Sequence, residues 1–249
     1  MTEPDDKIES VEQGPIKPFL AHLEDLRWVL IKILTVVSIA WLGCFYLVAQ
    51  ILKFLQYPLE RSGALKQIGL SKPSEFLKVF GPVDAFSISF QLALYAGLVI
   101  ASPLVIYFLA SYILPALTGK ERRFIMPAFW MGSFSFLAGV FFCYYFVLPP
   151  ALAVSITFAT DFLHLSVSFW TVESYISFVT KFMIGMGIAF EMPLVILSLV
   201  RFGVLDYAKL SKARRNVIVL NFILGAVLTT PEVFTQLIMA IPLTIMYEA

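Results

Sequence analysis

Residues 172–200 read VESYISFVTKFMIGMGIAFEMPLVILSLV, an apolar stretch whose only charges are Glu173 at its start, Lys181, and Glu191 in its middle. About 20 apolar residues rising 1.5 Å each cross a hydrocarbon core roughly 30 Å thick, so this stretch predicts a transmembrane helix. Pro193 stands two residues past Glu191. It cannot donate to the Ala189 carbonyl, which predicts a kink and an acceptor to be satisfied nearby.

The same reading finds three more spanning runs, at about Trp28–Gln50, Ala85–Leu117 and Phe124–Leu148. Two further runs, Asn216–Thr230 and Val233–Tyr247, have about 15 residues each, or roughly 22 Å. The joint Thr229-Thr230-Pro231-Glu232 between them predicts an antiparallel helical hairpin, either re-entrant or crossing a thinned bilayer. The expected architecture is all-α: a polytopic integral membrane protein with six transmembrane helices, the last two short. It forms one domain over residues 1–249, with an N-terminal segment 1–27 and a six-helix bundle 28–248. Composition agrees. Of 249 residues, 59% are hydrophobic and 14% charged, at a mean hydropathy of +0.86, against roughly 25% charged in soluble domains. A net charge of +1 offers nothing to nucleic acid. Cys44 and Cys143 lie in apolar runs and read as small hydrophobes.

Residues 1–27 are acidic and the first apolar run exceeds a signal-peptide core, so no removable signal is expected. Lys120, Arg122, Arg123, Arg201, Lys209, Lys212, Arg214 and Arg215 fall in the loops after spans two and four. Lys53, Arg61, Lys66, Lys72 and Lys78 fall after span one. Eight against five puts the former loops, and with them both termini, on the cytoplasmic side. In the outer loops, Ser74–Phe80 predicts a short surface helix stopped by Gly81-Pro82. Residues 149–171 are apolar enough to rest in the membrane interface.

Catalytic machinery is not legible. His22 and His164 stand far apart, without metal-ligand spacing. Gly185-Met186-Gly187 is followed by Phe190 where a dinucleotide fingerprint needs a small residue, and reads instead as a packing face. No nucleophile elbow occurs. The expectation is a protein that is not an enzyme, with no metal and no cofactor.

Polar groups in costly places are more informative. Glu191 lies ten residues, or roughly 15 Å, from Arg201, where a charge costs at least about 2.5 kcal/mol. It should face a cavity or a partner, or be protonated and hydrogen-bonded inside the bundle. Lys32 and Lys181 can snorkel to opposite interfaces. At the cytoplasmic rim, Glu24 and Asp25 precede span one and Glu121 precedes span three. Each carboxylate can simply answer a helix dipole. Adjacent residues do not share a helix face, so Glu24 and Asp25 cannot both point toward Glu121. Two carboxylates that converge from separate spans would suit a pair of guanidinium groups, which bind carboxylate bidentately as Lys cannot.

These residues also carry a family resemblance. Phe19-Leu20-Ala21-His22-Leu23-Glu24-Asp25-Leu26-Arg27 resembles the amino-terminal signature of TatC, the core subunit of the twin-arginine protein translocase. Gly81-Pro82-Val83-Asp84-Ala85-Phe86 is similar to that family's entry to span two, and Ile113-Leu114-Pro115-Ala116-Leu117 with Lys120-Glu121-Arg122-Arg123 to its first cytoplasmic loop. Phe190-Glu191-Met192-Pro193 matches the family's mid-membrane acidic motif. Leu228 through Gln236 (LTTPEVFTQ) matches its last turn. Order, spacing and six-span layout agree over nearly the whole chain.

The resemblance implies a receptor in a bacterial or archaeal cytoplasmic membrane that binds twin-arginine signal peptides of folded precursors. It also implies single-span TatA- and TatB-type partners, self-association in a larger complex, export driven by the proton-motive force, and no cofactor. Carried over by position, Glu121 and the acid at 25 match signal-recognition positions, with Tyr112 an aromatic just upstream. Glu191 matches the polar point of the membrane groove. Thr229 and Gln236 match partner-docking positions, and Pro58 a proline of the first outer loop. Position 25 is Asp where Glu is usual and Glu24 stands beside it, so both acids are candidates. The rival reading is a proton- or ion-coupled secondary transporter using Glu191. It lacks the repeated halves and clustered midplane polar groups common in transporters.

Overall fold

The computed structural model describes residues 19–113, 125–164, 169–201, 206–228 and 233–248. Helix α1 (Phe19–Tyr46) gives way at Leu47 to α2 (Val48–Arg61), followed by the short α3 (Ala64–Gln67) and α4 (Pro73–Phe76), strand β1 (Leu77–Lys78) and the long α5 (Pro82–Ile113). Next come α6 (Ile125–Phe142), α7 (Leu148–Thr157), strand β2 (Trp170–Thr171), α8 (Val172–Ala189), α9 (Met192–Arg201), α10 (Tyr207–Leu228) and α11 (Val233–Glu248). Among the described residues four helical stretches are long and apolar enough to cross a membrane: Leu23–Tyr46, Pro82–Tyr112, Phe129–Phe162 and Val172–Val200.

Three expectations change. The third span does not stop at Leu148. Pro149 and Pro150 cannot donate to the carbonyls of Tyr145 and Phe146, but the backbone widens into a π-helical turn over Cys143–Val147 and continues as α7 with the prolines in its first turn. A second π-helical turn carries the helix to Phe162. Leu148, Ala151, Leu152 and Ile156 are fully buried, so this part of the presumed interfacial segment belongs to the core. Second, the helix expected over Ser74–Phe80 lasts only from Pro73 to Phe76. Leu77 and Lys78 turn extended because they pair in parallel with Trp170 and Thr171. Ring contacts flank that pair, Phe76 with Trp170 at 5.3 Å and Phe80 with Phe169 at 5.4 Å. Third, α10 has 22 residues, because its polar start from Tyr207 is helical as well; α11 has 16.

Spans one and two meet through small residues. A side chain on Gly97 would come within 2.8 Å of the Trp41 backbone nitrogen, and Ala93 and Ala101 are buried beside it. Without a hydrophobic gradient between helix and lipid, such close approach supplies the contact. The Trp41 indole donates to the Phe90 carbonyl at 3.3 Å, and Phe45 packs on Phe90 at 5.1 Å. The pairings Phe45 with Phe90 and Ala40 with Gly97 show that α1 and α5 run antiparallel.

The most deeply buried side chains lie where α2 and α4 fold over α7 and α8, and include Leu59, Phe76, Leu152, Tyr175 and Ile176. Pro58 is here, inside α2 and buried rather than in an open loop. Lacking an N–H, it frees the Phe54 carbonyl four residues back. The Tyr144 hydroxyl donates to that carbonyl at 2.7 Å, and the Tyr175 hydroxyl donates to the neighbouring Leu55 carbonyl at 2.6 Å. The Tyr144 ring also stacks on Phe54 at 4.4 Å. Tyr144→Phe should cost about 1–3 kcal/mol by leaving a buried acceptor unpaired. In a Pro58→Ala background, where residue 58 can donate its own N–H, the same change should cost measurably less. Thermal unfolding of the four proteins in detergent checks this; an equal cost in both backgrounds contradicts it.

Candidate functional site

The rim residues start from α1. Its helix begins at Phe19, so Glu24 and Asp25 sit within it rather than ahead of it; Glu24 is exposed and Asp25 half-buried. The antiparallel register with α5 sets their height. Counting back along α1 from Ala40, opposite Gly97, brings Asp25 level with the Ala110–Tyr112 turn of α5. Tyr112, half-buried, therefore lies at the same end of the bundle as Asp25, and each of the two has an interaction partner. Glu121 lies outside the described residues.

Glu191 occupies the joint of span four. Helix α8 ends at Ala189 and α9 starts at Met192, with the Glu191 N–H tightening onto the Ile188 carbonyl at 3.1 Å. The break falls where Pro193 predicts it, and Ser135 of α6 donates its hydroxyl to the Phe190 carbonyl at 2.5 Å. The relieved acceptor is thus Phe190, one residue beyond the Ala189 carbonyl expected from sequence. One carboxyl oxygen of Glu191, Oε1, is buried and has no hydrogen-bond partner. The other faces Gly132 of α6, where a β-carbon would lie 3.2 Å from Oε2, beside Ile106 of α5 and Leu194 of α9.

Sequence reasoning missed what makes this fit possible. Gly132, Ser135 and Gly139 lie at i, i+3 and i+7 of α6 and form one face toward the joint. A β-carbon on Gly139 would stand 2.7 Å from the Met186 carbonyl and 2.8 Å from Phe190. Their helical spacing inside an otherwise aromatic span was the available signal.

The last two helices form the predicted antiparallel hairpin. Gln236 lies across from Phe222, Asn221 from Thr244 and Leu210 from Tyr247. An Arg214–Glu248 ion pair at 3.5 Å closes the far end. The Gln236 amide donates to the Phe222 carbonyl at 2.7 Å, and its stem packs on Gly225. This polar side chain is turned into the hairpin. Thr229 lies outside the described residues. Among the described residues no three His, Cys, Asp or Glu side chains converge as a metal site would need.

Comparison with known proteins bears on the whole chain. The family model described as Sec-independent protein translocase protein (TatC) matches residues 21–242. The TatC protein of Aquifex aeolicus (strain VF5) is 34% identical over 231 residues, covering 93% of this chain and 92% of that one. The TatC protein of Akkermansia muciniphila is 39% identical over 176 residues, covering 70% of this chain but only half of that longer relative. Two crystal structures of the twin-arginine translocase receptor TatC, one of them in DDM, superpose with TM-scores of 0.76 and 0.79 at 34% identity. They cover 91% of this chain and 95% and 96% of their own.

Substituting Gly139 by Ala should destabilise the fold by about 1–3 kcal/mol, because the obstacle is backbone and cannot rotate away. Ser135→Ala should cost a similar amount through the unpaired Phe190 carbonyl, and Ser135→Thr less. Gly43, with nothing within 4 Å of its would-be β-carbon, should accept Ala without loss. Unfolding midpoints in detergent decide; Gly139→Ala behaving like Gly43→Ala contradicts the packing account.

Proposed function

We propose a receptor role on one premise: the chain belongs to the TatC family of Sec-independent protein translocase proteins. It is a multi-pass membrane protein, with four helices able to cross the bilayer among its described residues. On the proposed reading it sits in the cytoplasmic membrane with six spans and the Phe19 end toward the cytoplasm. There it takes up twin-arginine signal peptides of folded precursors, and recruits TatA- and TatB-type partners for export driven by the proton-motive force.

The observation that carries this reading is the antiparallel register of α1 on α5, which brings Asp25 level with Tyr112 and leaves Glu24 exposed. Carboxylates held at one rim by separate spans can each take one guanidinium in a planar, two-bond contact. Asp25 or Glu24 would supply one and Glu121 the other, with Tyr112 offering an aromatic face to the cation. The apolar part of the signal would then lie along the bundle toward Glu191. The buried Oε1 of that residue has no hydrogen-bond partner within the protein, which leaves it an acceptor still to be satisfied.

Partner docking is assigned to the joint end of the α10–α11 hairpin, around Thr229 and Gln236. The inward bond of Gln236 means that it acts by shaping the hairpin as much as by direct contact. With 16 residues, α11 spans roughly 24 Å, less than a hydrocarbon core of about 30 Å. The apolar part of α10, from Asn216, is shorter still. Such a pair thins the bilayer beside the partner site and lowers the barrier to protein passage.

Binding of a labelled twin-arginine signal peptide to the purified chain should weaken roughly tenfold or more for the twin-lysine version, since a point charge loses the two-bond geometry. Glu121→Ala should weaken it similarly, and comparison of Glu24→Ala with Asp25→Ala identifies the second acid. Equal affinity for both peptides would sink the rim site. For the thinning role, lengthening α10 and α11 by one turn each should impair transport while partner binding is unchanged; normal transport of precursor would refute it.

A further inference from the structure

A cavity of about 180 Å³ lies between α2, α5 and α8, well away from the rim acids. Its walls are almost wholly apolar. Phe54 and Ile100, both lining it, are 47% and 65% exposed, so it opens on the outer surface of the bundle. On α5 the lining runs from Leu92 through Ala96 to Ile100, roughly 12 Å along the axis. On α8 it includes Thr180 and Ile184. These positions fall inside the spans Pro82–Tyr112 and Val172–Val200, at hydrocarbon depth.

The wall chemistry narrows the occupant. A water needs two to four polar partners, and the Thr180 hydroxyl is already committed to the Ile176 carbonyl at 2.5 Å. At that depth the apolar walls suit an alkyl chain. One charge stands beside the opening: Lys181 follows Thr180 directly and precedes Ile184 by about one turn, which sets it on the flank of the cavity. Lys181 is exposed, and among the described residues it forms no ion pair. The four-carbon stem of Lys181 lets its ammonium group reach toward the headgroup level, where an anion would stabilise it.

We propose that the cavity holds one acyl chain of an anionic phospholipid whose phosphate pairs with Lys181. The direction is consistent. Because β1 leads into α5, β2 leads into α8 and the two strands pair in parallel, α5 and α8 start from the same end of the bundle. A lipid with its headgroup at that end lays its phosphate over Lys181 and its tail down α5 toward Ile100. The site depends only on membrane embedding and stands apart from the receptor assignment.

The test uses the full chain in nanodiscs of equimolar phosphatidylglycerol and phosphatidylcholine, released and weighed by native mass spectrometry. Retained phosphatidylglycerol should exceed phosphatidylcholine roughly tenfold, the effect of one charge-assisted contact. Lys181→Gln should bring the ratio near one. Ala96→Phe, or the gentler Ala96→Leu where the larger side chain impairs folding, should reduce retention of both lipids. A phosphatidylglycerol carrying a photoreactive group on its tail should label peptides containing Ile100 or Ile184. No preference in the parent protein, a preference that survives Lys181→Gln, or undiminished retention in a folded Ala96 variant overturns the proposal. So does displacement of the retained lipid by the apolar stretch of a signal peptide, which would make the cavity a peptide site.

Discussion

A backbone carbonyl inside a bilayer has no water to turn to, and the joints of this molecule are arranged around that constraint. Prolines at 58, 103 and 193 each remove a donor from a helix. The carbonyl that Pro58 abandons is taken by Tyr144, and its neighbour by Tyr175, from elements far away in sequence. The Val99 carbonyl, left by Pro103, is taken by Ser102 at 2.7 Å within the same turn. At the Pro193 joint, Ser135 reaches across from α6 to the Phe190 carbonyl. Each repair also fixes a position: the first holds α2 over the Cys143–Val147 turn and α8, and the last holds the bend at Glu191.

Close approach depends on a second provision. Where helices must come near enough for such bonds, glycine stands at the crossing: Gly97 against Trp41, Gly139 against Met186 and Phe190, Gly187 against Phe136. Lipid and side chain are equally apolar, so packing contact and polar repair replace the hydrophobic gradient that would organise a soluble bundle. The aromatic residues of α6 that face outward, such as Trp130 and Phe134, need no protein partner in that setting.

The joints also decide where polar groups are left. The break at Phe190 and Glu191 removes a carboxylate from the regular helix surface and seats it against Gly132, with one oxygen unpaired in a costly place. The antiparallel seating of α1 on α5 carries Asp25 and Tyr112 to one end. In the receptor role proposed above, these two features would lie at opposite ends of the path a signal peptide follows.

From sequence alone the class was legible: long apolar runs and the proline break beside Glu191 depend on local composition and period, which a bilayer reads directly. The match to a translocase family was legible for the same reason, carried by short contiguous motifs. Only the tertiary structure decided that Pro149-Pro150 opens a π turn rather than ending a span, since a buried core waits for Leu152 and Ile156. It also decided that Leu77–Lys78 leaves its helix to pair with Trp170–Thr171, and that tyrosines 144 and 175 serve the helix broken by Pro58. The physical reason is that in a membrane span both the lipid-facing and the packed faces are apolar. Hydropathy marks that a helix crosses, and not which of its faces meets which neighbour.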